Sequence, residues 1–176
     1  MENYKRLNTY VLATVIFDLT DSFCKKYISY KSRTNDQMVQ AARSGKQNIA
    51  EGYSLASTEG YIKLLGVAKA SFKELSADYE DYLRQNKLTI WIKDDPRIRA
   101  FRDFRASWID SEGNYPNTPK IPNSPEEFAN MLLTFCQMET YMLYKQGLAL
   151  EEKFVKEGGF SENLFKKRLA RKYSSF

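Results

Sequence analysis

Histidine is entirely absent from the 176 residues of this chain. Its absence excludes Ser-His-Asp and Cys-His nucleophile systems, zinc sites built on histidine, and the Glu-x-x-His pairs of a di-iron helical bundle. Glu74, Asp78 and Asp81 share one helix face, but no second acidic set at matching spacing would complete a site for a hard cation. The sequence therefore predicts a protein that is not an enzyme, with no catalytic residues, no metal and no cofactor.

Cysteine, glycine and proline are also scarce. Cys24 and Cys136 lie far apart within helical patterns, which predicts two buried thiols rather than a disulfide or a metal cluster. Only 8 glycines and 5 prolines punctuate the chain, which favours long helices over short strands with tight turns. The longest apolar run, residues 10–17, is far below the roughly 20 residues that cross a bilayer. Because no secretion signal is recognisable either, we expect a cytoplasmic protein without membrane contact.

Apolar residues recur at helical spacing in four segments, at about 9–27, 34–51, 58–86 and 124–157. Gly52 is predicted to end the second helix as a left-handed C-terminal residue. Residues 124–127, Ser-Pro-Glu-Glu, predict a capping box with proline in the first helical position. Four long helices with two short connections and one long connection predict an all-α fold, an antiparallel up-down four-helix bundle.

Residues 87–123 interrupt this pattern, and we interpret them as an insert between the third and fourth helices. Residues 89–92, Thr-Ile-Trp-Ile, predict a short strand or an extended packing segment. Asp95 and Pro96 predict the start of a short helix that continues through Trp108. The bundle is therefore assigned to residues 1–159 with this insert, and residues 160–176 to a basic C-terminal suffix with a helical tail.

Residues 43–52, Arg-Ser-Gly-Lys-Gln-Asn-Ile-Ala-Glu-Gly, resemble a motif of a four-helix-bundle family. That family includes the proteins encoded by intervening sequences of 23S ribosomal RNA genes and the accessory protein of diversity-generating retroelements. Residues 57–75 match the family's next helix in order and spacing, and residues 149–160 are similar to a longer subgroup with a C-terminal suffix. Gly45 departs from the branched aliphatic residue of simpler members, which also lack the insert. The resemblance implies a homo-oligomer, for which we expect a homopentameric ring, and a basic surface suited to nucleic acid.

The formal net charge is +5 and the pI is about 9.1. Clustered cations attract closely spaced phosphates, although a charged cluster can equally be an ordinary solvated face. The residues predicted to bind nucleic acid are Arg43, Lys46, Arg99, Arg102, Lys166, Lys167, Arg168, Arg171 and Lys172. RNA or a ribonucleoprotein is the expected partner, and the alternative is a protein–protein scaffold that binds no nucleic acid. Tyr53, Tyr141 and Tyr144 are candidates for stacking on bases, although packing is the commoner role of aromatic residues at helical spacing.

Asn48 and Glu51 lie one helical turn apart, so both can face the same neighbour. With Gly52 they are predicted to form a structural motif that fixes the turn after the second helix. Because the helix dipole disfavours a carboxylate in the last turn, Glu51 is expected to have a partner such as Arg43, Lys46 or a backbone amide.

Overall fold

The computed structural model describes residues 2–173, and helices account for its regular secondary structure. A 3-10 helix (Asn3–Arg6) precedes six α-helices: α1 (Asn8–Tyr27), α2 (Arg33–Ser54), α3 (Thr58–Gln85), α4 (Pro96–Arg102), α5 (Pro125–Glu157) and α6 (Phe160–Tyr173). Within residues 2–173 there is no strand, and one isolated antiparallel bridge pairs Trp108 with Pro116. The prediction of an all-α protein is confirmed.

Hydroxyl caps begin three of the long helices. The Ser32 side chain accepts a hydrogen bond from the Thr34 amide at the start of α2, and Ser57 accepts one from Gly60 at the start of α3. Ser124 accepts one from the Glu127 amide at 3.4 Å, with Pro125 in the first turn of α5. Each bond satisfies a helix N-terminal amide that has no intrahelical acceptor, so these boundaries follow from local sequence.

The prediction that Gly52 ends α2 in a left-handed conformation is wrong. The helix continues to Ser54, and Gly52 is buried inside it, with a φ outside the positive region. A Cβ built on Gly52 would lie 2.6 Å from Tyr61 Cδ2 and 3.2 Å from Leu64 Cβ. The glycine is needed because the first turns of α3 approach the backbone of α2 closely, not because the helix stops there.

The predicted short helix ends earlier than expected. α4 stops at Arg102, and Trp108 lies beyond it, where its indole Nε1 donates a hydrogen bond to the Lys5 carbonyl at 2.6 Å. The Trp108 ring also lies 6.4 Å from the ring of Tyr10 on α1. A helix continuing through Trp108 is wrong because this residue is held instead by contacts with the N-terminal part of the chain.

Residues 89–92 have no regular secondary structure and pack against α5, so the alternative of a strand is wrong. The Trp91 amide donates to Asn130 Oδ1 at 2.8 Å, and Asn130 Nδ2 donates to the Thr89 carbonyl at 2.9 Å. Glu126 accepts hydrogen bonds from the Thr89 amide and from Trp91 Nε1. Side chains of α5 therefore satisfy the backbone groups that a partner strand would otherwise satisfy.

Four long helices share the apolar core. α1 contacts α2 and α5, α3 contacts α2 and α5, and α4 lies on α5. The largest fully buried side chains include Phe23, Phe72, Tyr79, Phe128 and Phe135. Both cysteines are free and buried, as predicted, and burial raises the pKa of the Cys24 thiol to about 12. None of the helices within residues 2–173 is both long and apolar enough to cross a membrane.

The C-terminal helix leaves α5 through a well-defined turn. Gly158 has a φ of 77°, which glycine adopts without strain, and it ends α5 as expected for the Gly158–Gly159 pair. Glu162 Oε2 accepts a hydrogen bond from the Gly159 amide at 3.0 Å, and Asn163 Nδ2 donates to the carbonyls of Glu157 and Gly158. α6 itself buries no residue.

Candidate nucleic-acid interface

The cations of the tail are all exposed on one helix. α6 carries Lys166, Lys167, Arg168, Arg171 and Lys172. Because consecutive residues of a helix differ by about 100°, positions 166, 167 and 168 point in different directions and the positive charge surrounds the helix. The helix's only acidic residue, Glu162, is used as the hydrogen-bond acceptor of the preceding turn.

Three apolar side chains share α6 with these cations. Leu164 is 49% exposed, Phe165 is 59% exposed and Leu169 is 38% exposed. These side chains are not packed into the core formed by the described residues. The tail is therefore both cationic and unusually apolar at its surface.

The two candidate cations of α2 differ in environment. Arg43 is exposed, whereas Lys46 is half-buried with its ammonium 4.5 Å from the ring centroid of Phe17 on α1. Burial lowers the pKa of Lys46, and the carboxylate of Asp18 opposes this effect. Lys46 therefore belongs to the contact between α1 and α2, and Arg43 is the more accessible of the two.

The insert holds a second group of cations. Arg99 is exposed and lies 3.7 Å from a carboxylate oxygen of Asp94, while Arg102 is half-buried in a hollow between the insert and α5. Arg97, which was not among the candidates, stacks with its guanidinium 3.3 Å from the ring centroid of Trp91. The cations of the insert are held near α5, whereas those of the tail lie on a helix that buries no residue.

Asn48 and Glu51 do not act together. Asn48 Nδ2 donates to the Ser44 carbonyl at 2.8 Å and to Ser44 Oγ at 3.2 Å, and Ser44 Oγ lies 3.2 Å from Ser71 Oγ on α3. The tie between α2 and α3 therefore runs through Ser44 and Ser71, with Asn48 behind it. The carboxylate of Glu51 is exposed and makes no hydrogen bond or ion pair with any described residue. The prediction that Glu51 has a partner is therefore wrong, and its side chain is solvated.

A groove of about 520 Å³ runs along the outer side of α3 and α5. It contains two of the tyrosines that the sequence indicated as stacking candidates, but the lysines opposite them were missed. Lys69 and Lys73 form one wall, Tyr141 and Tyr144 form the other, and small side chains line the space between them. Tyr141 is 63% exposed and Tyr144 is 49% exposed. The available signal was the four-residue spacing of the two lysines beside the apolar stripe of α3.

Glu139 is the most unusual polar residue of the core. Its side chain is fully buried in α5, and neither carboxylate oxygen has a hydrogen-bond partner among residues 2–173. Burial raises the pKa of this carboxyl well above its ordinary value of 4.5. The sequence contained a signal, because position 139 lies four residues after Phe135 and three before Met142 on the same helix face.

Within residues 2–173 no group of three or more cysteine, aspartate or glutamate side chains could hold a metal ion. Comparison of the chain with family models, with curated proteins and with solved structures found no match. The function must therefore be inferred from the chemistry of the surfaces described above.

Proposed function

We propose that this protein is a non-enzymatic nucleic-acid-binding protein that acts as a homo-oligomer, with RNA or a ribonucleoprotein as its partner. The observation that supports this function best is the exposure of all five cations of α6, together with the use of Glu162 in the preceding turn. A helix with this composition has few internal charges to neutralise it, so polyanions are its natural ligands.

Electrostatic binding of this kind requires little geometric precision. Each lysine or arginine that neutralises a phosphate releases condensed counterions, and the affinity grows with the number of such contacts. Arg43, Arg99 and Arg102 would add contacts from the bundle and the insert. In a homo-oligomer such clusters are repeated around a symmetry axis, and several weak contacts then act as one avid surface.

The finer architecture that fits this proposal is an antiparallel up-down four-helix bundle. Short connections at residues 28–32 and 55–57 leave successive helices little choice but to reverse direction, and α1, α2, α3 and α5 contact one another in a closed order. We also propose membership of the family that residues 43–52 resemble, a homopentamer as the assembly, and a cytoplasmic location.

A protein–protein scaffold without nucleic acid is the second candidate function. The observation that favours it is the exposure of Leu164, Phe165 and Leu169 on α6, because apolar side chains outside a core commonly mark an interface. In that case the cations of the tail would steer an acidic partner rather than contact phosphates.

Two measurements test the proposal. Fluorescence anisotropy with a labelled RNA hairpin and a labelled DNA duplex at low salt is expected to detect binding that weakens linearly on a log–log salt plot. Light scattering before and after nuclease treatment is expected to give a mass that is a multiple of 20.5 kDa. Undetectable binding of both probes would contradict the nucleic-acid function, and a monomer mass would contradict the assembly.

A further inference from the structure

The groove between α3 and α5 combines the two chemical groups that recognise a nucleotide. Lys69 and Lys73 are one helical turn apart on α3, and Tyr141 and Tyr144 are three residues apart on α5. The Lys69 ammonium lies 5.7 Å from the ring centroid of Tyr144. An aromatic face beside a cation offers a stacking surface for a base and a counter-charge for the adjoining phosphate.

The spacing of the two tyrosines suits successive bases. At ~1.5 Å per residue, Tyr141 and Tyr144 are displaced by about 4.5 Å along the axis of α5. Ser76, Ala77 and Thr140 line the space between the two walls, and their small side chains leave it open. The site is therefore a shallow trough with two exposed rings on one side rather than a closed cavity.

The groove continues in both directions. At one end Glu80 and Gln137 also border the hollow that contains Arg102 and Lys93, so cations of the insert lie at this exit. At the other end Lys69 and Tyr144 border a further recess of about 280 Å³ that includes Gly66 and Gly147. Lys69, Lys73, Lys93 and Arg102 thus lie along one continuous surface, on which Glu80 stands between the lysines of α3 and the cations of the insert. Four cations against this one carboxylate favour an extended anionic chain.

We propose that the groove between α3 and α5 binds a single-stranded segment of nucleic acid, with Tyr141 and Tyr144 stacking on two bases and Lys69 and Lys73 contacting phosphates. This inference rests on the proposed function and specifies the form of nucleic acid that is recognised. Duplex bases are already stacked and paired, so only unpaired bases present their faces to a tyrosine ring. Stacking is tolerant of sequence, and both single-stranded RNA and single-stranded DNA satisfy it.

The test uses the full chain and fluorescent strands of about 12 nucleotides, a length within the range that single-strand-binding surfaces cover. Oligo(dT) and oligo(U) are the single-stranded probes, and a DNA duplex of mixed sequence is the comparison. Tyr141→Leu and Tyr144→Leu are each expected to weaken single-strand binding about ten-fold while duplex binding stays unchanged. Tyr141→Phe keeps the ring and is expected to retain binding.

Tyr30 provides the matched control. It is 82% exposed, and the Lys31 ammonium lies 5.7 Å from its ring centroid, which reproduces the lysine–tyrosine pair of the groove on an isolated loop. Tyr30→Leu is expected to leave both single-strand and duplex binding at the wild-type level. The double variant Lys69→Gln, Lys73→Gln is expected to reduce the single-strand salt slope by about 1.4, or 0.7 for each lost phosphate contact.

The outcomes separate this inference from the proposed function. The wild type and both tyrosine variants could bind single strands equally well. That result would contradict binding in the groove, but it would leave the proposed nucleic-acid function supported. If the wild-type protein binds none of the nucleic-acid probes, both the groove proposal and the proposed function are wrong. A Glu-rich amphipathic peptide of about 20 residues tests a protein occupant. If the tyrosine variants weaken only that peptide, the groove binds a helix and the inference is wrong.

Discussion

The ring of Phe72 on α3 occupies the space that a side chain on Gly45 of α2 would need. A Cβ built on Gly45 would lie 2.5 Å from Phe72 Cε2 and 2.6 Å from Phe72 Cζ, and both residues are buried. A phenylalanine from the neighbouring helix fills the space beside this glycine, so the side chains of α2 and α3 are matched to one another at this contact.

Gly45→Ala is expected to lower the free energy of unfolding by about 1–2 kcal/mol. Overpacking a dense core destabilises a protein by about 1–3 kcal/mol. The higher helix propensity of alanine offsets up to about 1 kcal/mol of this destabilisation. Gly66→Ala is the matched control, because Gly66 lies within α3 and a Cβ there has no neighbour within 4 Å. That variant is expected to be more stable by up to about 1 kcal/mol. Urea unfolding followed by circular dichroism measures both, and equal stabilisation of the two variants would contradict the packing argument.

Glu139→Met is expected to raise the free energy of unfolding at pH 7 by about 1–3 kcal/mol, because it replaces an unsatisfied buried carboxyl with an apolar chain of similar shape. The raised pKa of Glu139 means that the folded state retains a proton which the unfolded state releases above pH 4.5. The free energy of unfolding of the wild type therefore falls as the pH rises above 4.5, and this destabilisation is absent at lower pH.

Measuring unfolding free energies between pH 4 and pH 8 isolates the titration of Glu139. Glu139→Gln replaces the buried carboxyl with an amide of similar shape that does not titrate. The difference in free energy of unfolding between this variant and the wild type is therefore expected to grow with pH. Glu139→Met also has no titrating group at this position, so it is the control, and its profile is expected to run parallel to that of Glu139→Gln. Parallel profiles for Glu139→Gln and the wild type would show that the pKa of this carboxyl is the same in the folded and unfolded states.

Replacing the five cations of α6 with glutamine is expected to reduce the salt slope of duplex DNA binding by up to about 4.5, since each phosphate contact contributes about 0.9. The helix packs little against the bundle, so the unfolding midpoint of this variant should match the wild type. The control is Lys153→Gln with Lys156→Gln, because these lysines pair with Glu157 and Glu152 on α5. An unchanged slope in the tail variant would assign nucleic-acid binding to another surface.

Asn130→Ala is expected to cost about 1–3 kcal/mol of stability and to loosen residues 89–92. The substitution leaves the Trp91 amide and the Thr89 carbonyl without the partner that now satisfies them. Hydrogen exchange at Trp91 should accelerate far more than exchange within α3. Gln85→Ala removes an exposed amide from α3 and is expected to leave both stability and exchange unchanged.

Local sequence determined the helices and their beginnings. Ser32, Ser57 and Ser124 cap their helices through bonds to amides two or three residues away, and such short-range bonds can be recognised in the sequence. Phe23, Phe72 and Phe128 lie within the predicted helices and are buried, because burial of one helix face follows from apolar periodicity. The absence of histidine, for its part, is a fact of composition that no fold can alter.

Only the tertiary structure decided how residues distant in sequence meet. A glycine is needed at position 52 inside α2 because Tyr61 and Leu64 approach it closely. Trp108 lies beyond the end of α4, where its indole donates a hydrogen bond to the Lys5 carbonyl. Neither contact has a local pattern, since each depends on the packing of another segment. The same is true of the trough in which lysines of α3 face tyrosines of α5, and of the unpartnered carboxyl of Glu139. Periodicity shows which face of a helix is buried, but only packing determines what that face and the opposite one contact.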